Sequence, residues 1–182
     1  MSNVHKSVLS IVLVAFMVSS IIGVSFSYFT SNLSGEEVAS TIILTNGKMV
    51  ITYANNDKMV EVSNAKAGKD AIISKKFAVS GNNNGESNMN YLVYLKTEKN
   101  TFNANSLTCS ITGRSLTKNQ NMINAKGLIV PKSGELNLGM GYFTGKDTAV
   151  HEYELNIYYL NKGTNSDKNS YSGQIIVRSD EI

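Results

Sequence analysis

Several separate runs between Tyr91 and Arg178 alternate every second residue, and that period constrains the fold more than any other feature. Tyr153, Leu155, Ile157 and Tyr159 alternate with Glu152, Glu154 and Asn156. Leu107, Cys109 and Ile111 alternate with Thr108, Ser110 and Thr112. Successive side chains of a strand point to opposite faces, so such a segment buries one face and wets the other. No long 3.6-residue period competes with it. Clusters such as Asn55-Asn56-Asp57 and Asn161–Asn169 punctuate the runs as turns. Eight or nine short strands separated this way predict an all-β sandwich or barrel.

Individual segments carry finer expectations. Asn46-Gly47 lies between Ile42-Ile43-Leu44 and Lys48–Tyr53, which reads as a hairpin, or as a bulge at Gly47 within one long strand. Met59–Val62 is a short strand. Ile73, Phe77 and Val79 share a parity that Lys75 interrupts. Ser80–Asn90 reads as a loop on composition. Tyr91–Lys96 is apolar on both faces, as expected of an interior strand covered on both sides. Ser115–Ala125 has room for a short helix, and Leu128–Val130 ends at Pro131 like an edge strand. Leu136, Leu138, Met140 and Tyr142 are expected on one face of their strand. Gly139 and Gly141 would lie on the other, open to close approach by a neighbouring backbone. Gly173, Ile175 and Val177 close the chain on a single parity.

Ahead of all this stands Val8–Phe29, with no charged residue, preceded by His5-Lys6 and followed by no acid before Glu36. A basic flank, an apolar run and small residues are the pattern of a secretory signal. Ser25 and Ser27 would occupy the −3 and −1 positions, leaving Tyr28 as the new N-terminus after signal peptidase. The run is also long enough to stay as a membrane anchor through residues 8–29, since about 20 apolar residues span the hydrocarbon. Both readings place the remainder outside the cytoplasm. The organisation expected is a signal or anchor over 1–27, a flexible polar leader over 28–40, and a β-sandwich domain over 41–182.

The roughly 155 residues after a cleavage form one domain, large enough to bury a core without staples. The formal charge of +3 falls to +2 without Lys6 and no basic run stands out, so nucleic acid is not an expected partner. The single cysteine, Cys109, has no internal partner and alternates with Leu107 and Ile111, which makes it a small core hydrophobe.

The layout resembles the TasA and camelysin group of secreted proteins from Gram-positive bacteria. The resemblance rests on Ser27-Tyr28-Phe29-Thr30-Ser31 after the apolar run and on Gly47-Lys48-Met49-Val50-Ile51. It continues through Val60–Val62, Asn64, Gly68 and Lys76-Phe77-Ala78-Val79, and ends with Tyr171-Ser172-Gly173-Gln174-Ile175-Ile176-Val177. It covers the first half and the last strand and is weak between 97 and 150. Ala67 stands where the family favours proline before the turn glycine, and the turn through Asn82-Asn83-Asn84-Gly85 is longer. The resemblance implies an extracellular protein that builds biofilm matrix fibres, and camelysin's description as a metalloprotease makes metal ligands worth testing.

A zinc site needs three or four ligands in reach. After cleavage only His151 remains as an imidazole, and on a strand it points away from Glu152 and Glu154. Asn55-Asn56-Asp57 and Asn165-Ser166-Asp167 read better as Asx turns than as calcium loops. No nucleophile elbow or phosphate-cradling loop occurs. Tyr153, Tyr158, Tyr159 and Tyr171 read as packing rather than as a carbohydrate-stacking surface. No catalytic, cofactor or metal site is expected.

What remains is backbone chemistry. An exposed sheet edge can accept an extended segment from another chain. Tyr28, Phe29, Ile42, Ile43 and Leu44 are the candidates for that segment, against the alternative that 41–45 pair within their own domain. The sequence thus reads as a jelly-roll-like antiparallel β-sandwich behind a signal or anchor helix, a non-enzymatic structural protein that self-associates at the cell surface or beyond. The alternatives are a membrane-anchored adhesin or binding domain and, further away, a secreted metalloprotease-like enzyme.

Overall fold

The computed structural model describes residues 39–44, 47–53, 59–116, 121–160 and 169–180. Ten strands occupy most of them: β1 (Ala39–Leu44), β2 (Gly47–Tyr53), β3 (Met59–Ser63), β4 (Ala71–Asn83), β5 (Met89–Asn100), β6 (Leu107–Ser115), β7 (Asn124–Ile129), β8 (Gly134–Phe143), β9 (Asp147–Tyr159) and β10 (Ser170–Ser179). They form a six-stranded sheet ordered β1-β2-β4-β9-β6-β7 and a four-stranded sheet ordered β3-β10-β5-β8. Every pairing is antiparallel. From β3 to β6 and again from β7 to β10, each strand lies in the opposite sheet to the one before it.

The period-two residues meet between the sheets. Tyr153, Leu155, Ile157 and Tyr159 of β9 are buried, as are Leu107, Cys109 and Ile111 of β6 and Phe77 and Val79 of β4. They share one core with Tyr91, Val93 and Leu95 of β5 and with Tyr171, Ile175 and Val177 of β10. This is the expected two-layer solution, in which each sheet covers the apolar face of the other. The β1–β2 hairpin also forms, with Leu44 opposite Gly47.

Four expectations are corrected. The first concerns β8, where Asn137 pairs with Tyr94 and Gly139 with Val93, leaving Leu138 as an extra residue. That bulge reverses the parity beyond it: Leu138 and Phe143 are buried while Met140 is 51% exposed. The extra residue requires an unusual backbone, and Gly139 supplies it at φ 138°. Gly141 then faces inward, and a side chain rather than a backbone fills the space it leaves, because a Cβ there would strike the Tyr91 ring.

The second correction is that β5 is not covered on both sides. Leu92, Tyr94 and Lys96 are only half-buried. Arg178 lies over the Tyr94 ring at 5.0 Å while its guanidinium holds Glu135 in two hydrogen bonds of 2.9 and 2.7 Å. Third, the loop expected over Ser80–Asn90 shrinks to 84–88 because β4 runs to Asn83. The buried Asn83 amide makes that possible: it donates to Ser87 O at 2.7 Å and Phe143 O at 3.1 Å, and its oxygen accepts from Gly85 N at 3.0 Å. Fourth, no helix forms in the described part of 115–125. Ser115 ends β6, and Asn124 and Ala125 begin β7.

Candidate functional site

Two places in this frame can do something beyond packing, an open sheet edge and a buried polar cluster. The edges differ in how well they are closed to a further strand. At one end of the six-stranded sheet β7 carries Lys126, has Gly127 at φ 68°, is bulged against β6, and runs into Pro131. In the four-stranded sheet β3 is five residues long with exposed Glu61 at its centre, and β8 carries Glu135 and the Leu138 bulge. Short length, charge, proline and bulges are the devices that keep edges from pairing with other chains. β1, six residues long, carries no charge, proline or bulge. Its sequence is Ala-Ser-Thr-Ile-Ile-Leu, its register with β2 is unbroken from Ala39↔Thr52 to Leu44↔Gly47, and it is the outermost described strand of its sheet.

Three of the residues singled out for assembly therefore lie on that edge. Ile42, Ile43 and Leu44 pair with Met49, Lys48 and Gly47 of the same chain. Tyr28 and Phe29, and the processing residues Ser25 and Ser27, lie outside the described residues, as does the whole apolar run. Among the described residues no helix is long and apolar enough to cross a membrane.

The residues weighed for metal or catalysis are engaged elsewhere. Arg114 donates to Glu152, its Nε at 2.9 Å, and Glu154 accepts from Ser74 Oγ at 2.8 Å. His151 is buried on the other face. No group of three His, Cys, Asp or Glu converges among the described residues. The two Asx loops considered for calcium lie outside the described residues. Tyr153, Tyr159 and Tyr171 are core, and half-buried Tyr158 receives a hydrogen bond from Ser110 Oγ at 3.4 Å. Cys109 is fully buried, and desolvation pushes its thiol up to about 12, away from the reactive thiolate.

The buried cluster was not foreseen. The Tyr91 hydroxyl of β5 lies 2.5 Å from His151 Nδ1 and 2.5 Å from the Tyr153 hydroxyl, both on β9. Ile123 N donates to that Tyr153 oxygen at 3.2 Å. The Phe143 ring stacks on the imidazole with centroids 4.7 Å apart. His151 Nε2 is buried with no hydrogen-bond partner among the described residues. Its inward parity was legible in the alternation of β9. Its partner was not, because Tyr91 is 60 residues away and belongs to the other sheet.

No family model matches the chain, and no curated protein matches it either.

Proposed function

We propose that this chain is an exported structural protein of the TasA and camelysin kind, a jelly-roll-like β-sandwich that self-associates into extracellular matrix or fibres by strand addition. The observation that carries the reading is the β1 edge, outermost among the described strands, apolar in sequence and unbroken in register. A strand laid along it gains main-chain hydrogen bonds of about 1 kcal/mol net each. The jelly-roll part is supported by the strand orders β3-β10-β5-β8 and β4-β9-β6-β7, the arrangement of eight strands wound as two Greek keys, with β1 and β2 added at one side. The resemblance and the uncharged Val8–Phe29 run support export through signal peptidase, with the membrane a partner only before cleavage.

The segment to be donated is the leader of a neighbouring copy, residues 28–38, laid along β1 (39–44). Ordering it costs roughly 1–2 kcal/mol per residue, so the balance is narrow and association is conditional. Sedimentation and electron microscopy of the chain starting at Tyr28, beside one lacking 28–38, test this. The expected result is polymer from the first and a folded monomer from the second. Equal behaviour of the two, both monomeric or both polymeric, rules out leader donation. Mass measurement of the exported protein separates secretion from anchoring. A start at or near Tyr28 is expected, and a membrane-bound chain still carrying Met1 replaces this reading with that of an anchored adhesin.

A further inference from the structure

The Tyr91–His151–Tyr153 cluster joins the two sheets at a point where the packing is otherwise apolar, and its protons can be assigned by counting donors. A tyrosine hydroxyl has one hydrogen to give, and a neutral imidazole has one N–H. Ile123 N already donates to the Tyr153 oxygen. If Tyr153 then donates to Tyr91, and Tyr91 to His151 Nδ1, every hydrogen in the chain finds an acceptor except the one on His151 Nε2. The opposite direction strands two groups, the Tyr153 hydrogen and the Nε2 lone pair. The relay therefore runs from β9 through β5 to His151, which is held as the Nε2–H tautomer.

We propose that this relay is an acid-sensitive latch between the two sheets, locked while His151 is neutral and released when it takes up a proton. The added proton falls on Nδ1, the atom that accepts from Tyr91. Tyr91 must then turn its hydrogen elsewhere, and the cation is left in a site closed to water. The described titratable groups around His151 are Tyr91 of β5, Tyr153 of β9 and Asp147 at the start of β9. The other strands against it contribute Val79 of β4, Ser115 of β6 and Phe143 of β8, which carry no charge. Burial pushes the imidazole down to about 4, and Asp147 opposes that only in part. Burial also drives both tyrosines upward, so neither supplies a compensating anion.

The sign follows by linkage. The unfolded imidazole takes its proton near 6.5 and the folded one near 4, so unfolding takes up protons between those values. The latch contributes its full stability above about pH 6.5 and loses it progressively as pH falls toward 4. The folded-to-unfolded ratio drops through this group by on the order of a hundredfold at pH 4.

Site-resolved NMR of the full chain tests this without any substitution. The expected spectrum shows His151 as the Nε2–H tautomer at pH 7 and still neutral at pH 5. An imidazole that titrates near 6.5 in the folded protein, or one protonated on Nδ1 at pH 7, overturns the proposal. Urea unfolding of the protein and of His151→Gln from pH 7 to 4 provides a second readout. The substituted protein should lose less stability over that interval. Parallel curves would also overturn the latch.

Discussion

The Tyr91 hydroxyl satisfies two buried groups at once, His151 Nδ1 and the Tyr153 hydroxyl, each at 2.5 Å. Tyr91→Phe keeps the ring and its stacking on Phe143 but leaves His151 Nδ1 without its donor and the Tyr153 hydrogen without its acceptor, although Ile123 N still donates to the Tyr153 oxygen. A buried polar group without a partner costs about 1–3 kcal/mol, so the substitution is expected to destabilise the fold by at least that much. Urea unfolding at pH 7 measures it, and a loss below about 0.5 kcal/mol would mean that the cluster contributes little. Space for the Tyr91 ring exists only because residue 141 has no side chain. At this scale the sequence is half informative. Alternation along β9 places His151 inward with Tyr153 and Leu155, and alternation along β6 makes Cys109 core. Which groups meet the imidazole depends on β5 and β8 arriving from the other sheet.

Among the elements, β9 and β8 mark the two extremes of legibility. β9 runs thirteen residues with its alternation intact, because both of its neighbours, β4 and β6, hold it in regular register around His151. β8 begins in the same way and then shifts parity at Leu138. The alternation of Leu136, Leu138, Met140 and Tyr142 reads as a flat strand, with Phe143 the one large apolar residue on the other parity, so the pattern alone does not announce a bulge. The bulge is selected by fit: it sends Phe143 into the core against His151 and Tyr91 and leaves Met140 outside. Gly139→Val tests this. Its φ of 138° is unfavourable for a branched residue, and the added carbon would press on the Ile123 side chain. The expected loss is about 1–3 kcal/mol by urea unfolding, and an unchanged midpoint would show that the strand can do without the bulge.

For the whole molecule, the core closes without a disulfide and without a metal cluster among the described residues. Chelation is therefore expected to leave the thermal midpoint nearly unchanged. A fall of about 10 °C or more would correspond to losing a few kcal/mol of binding linkage and would reveal a missed site. The sequence by itself determined that this is an all-β protein and which face of β6, β9 and β10 is buried, while the choice between the two apolar faces of β5 was left to the structure. Those are local properties, written in a two-residue period that one strand expresses alone. It also offered the hairpin at Asn46-Gly47, beside the alternative of a bulge within one long strand, and the pairing of β1 with β2 decides for the hairpin. Tertiary structure decided the order of strands in the two sheets, the bulge in β8, the length of β4, and the meeting of Tyr91 with His151 and Tyr153. Each of these depends on contacts between residues tens of positions apart, and pairing partners in antiparallel sheets leave no mark on the period of either strand. The outermost place of β1 among the described strands is of the same kind: its apolar sequence was plain, but only the sheet order made it an edge.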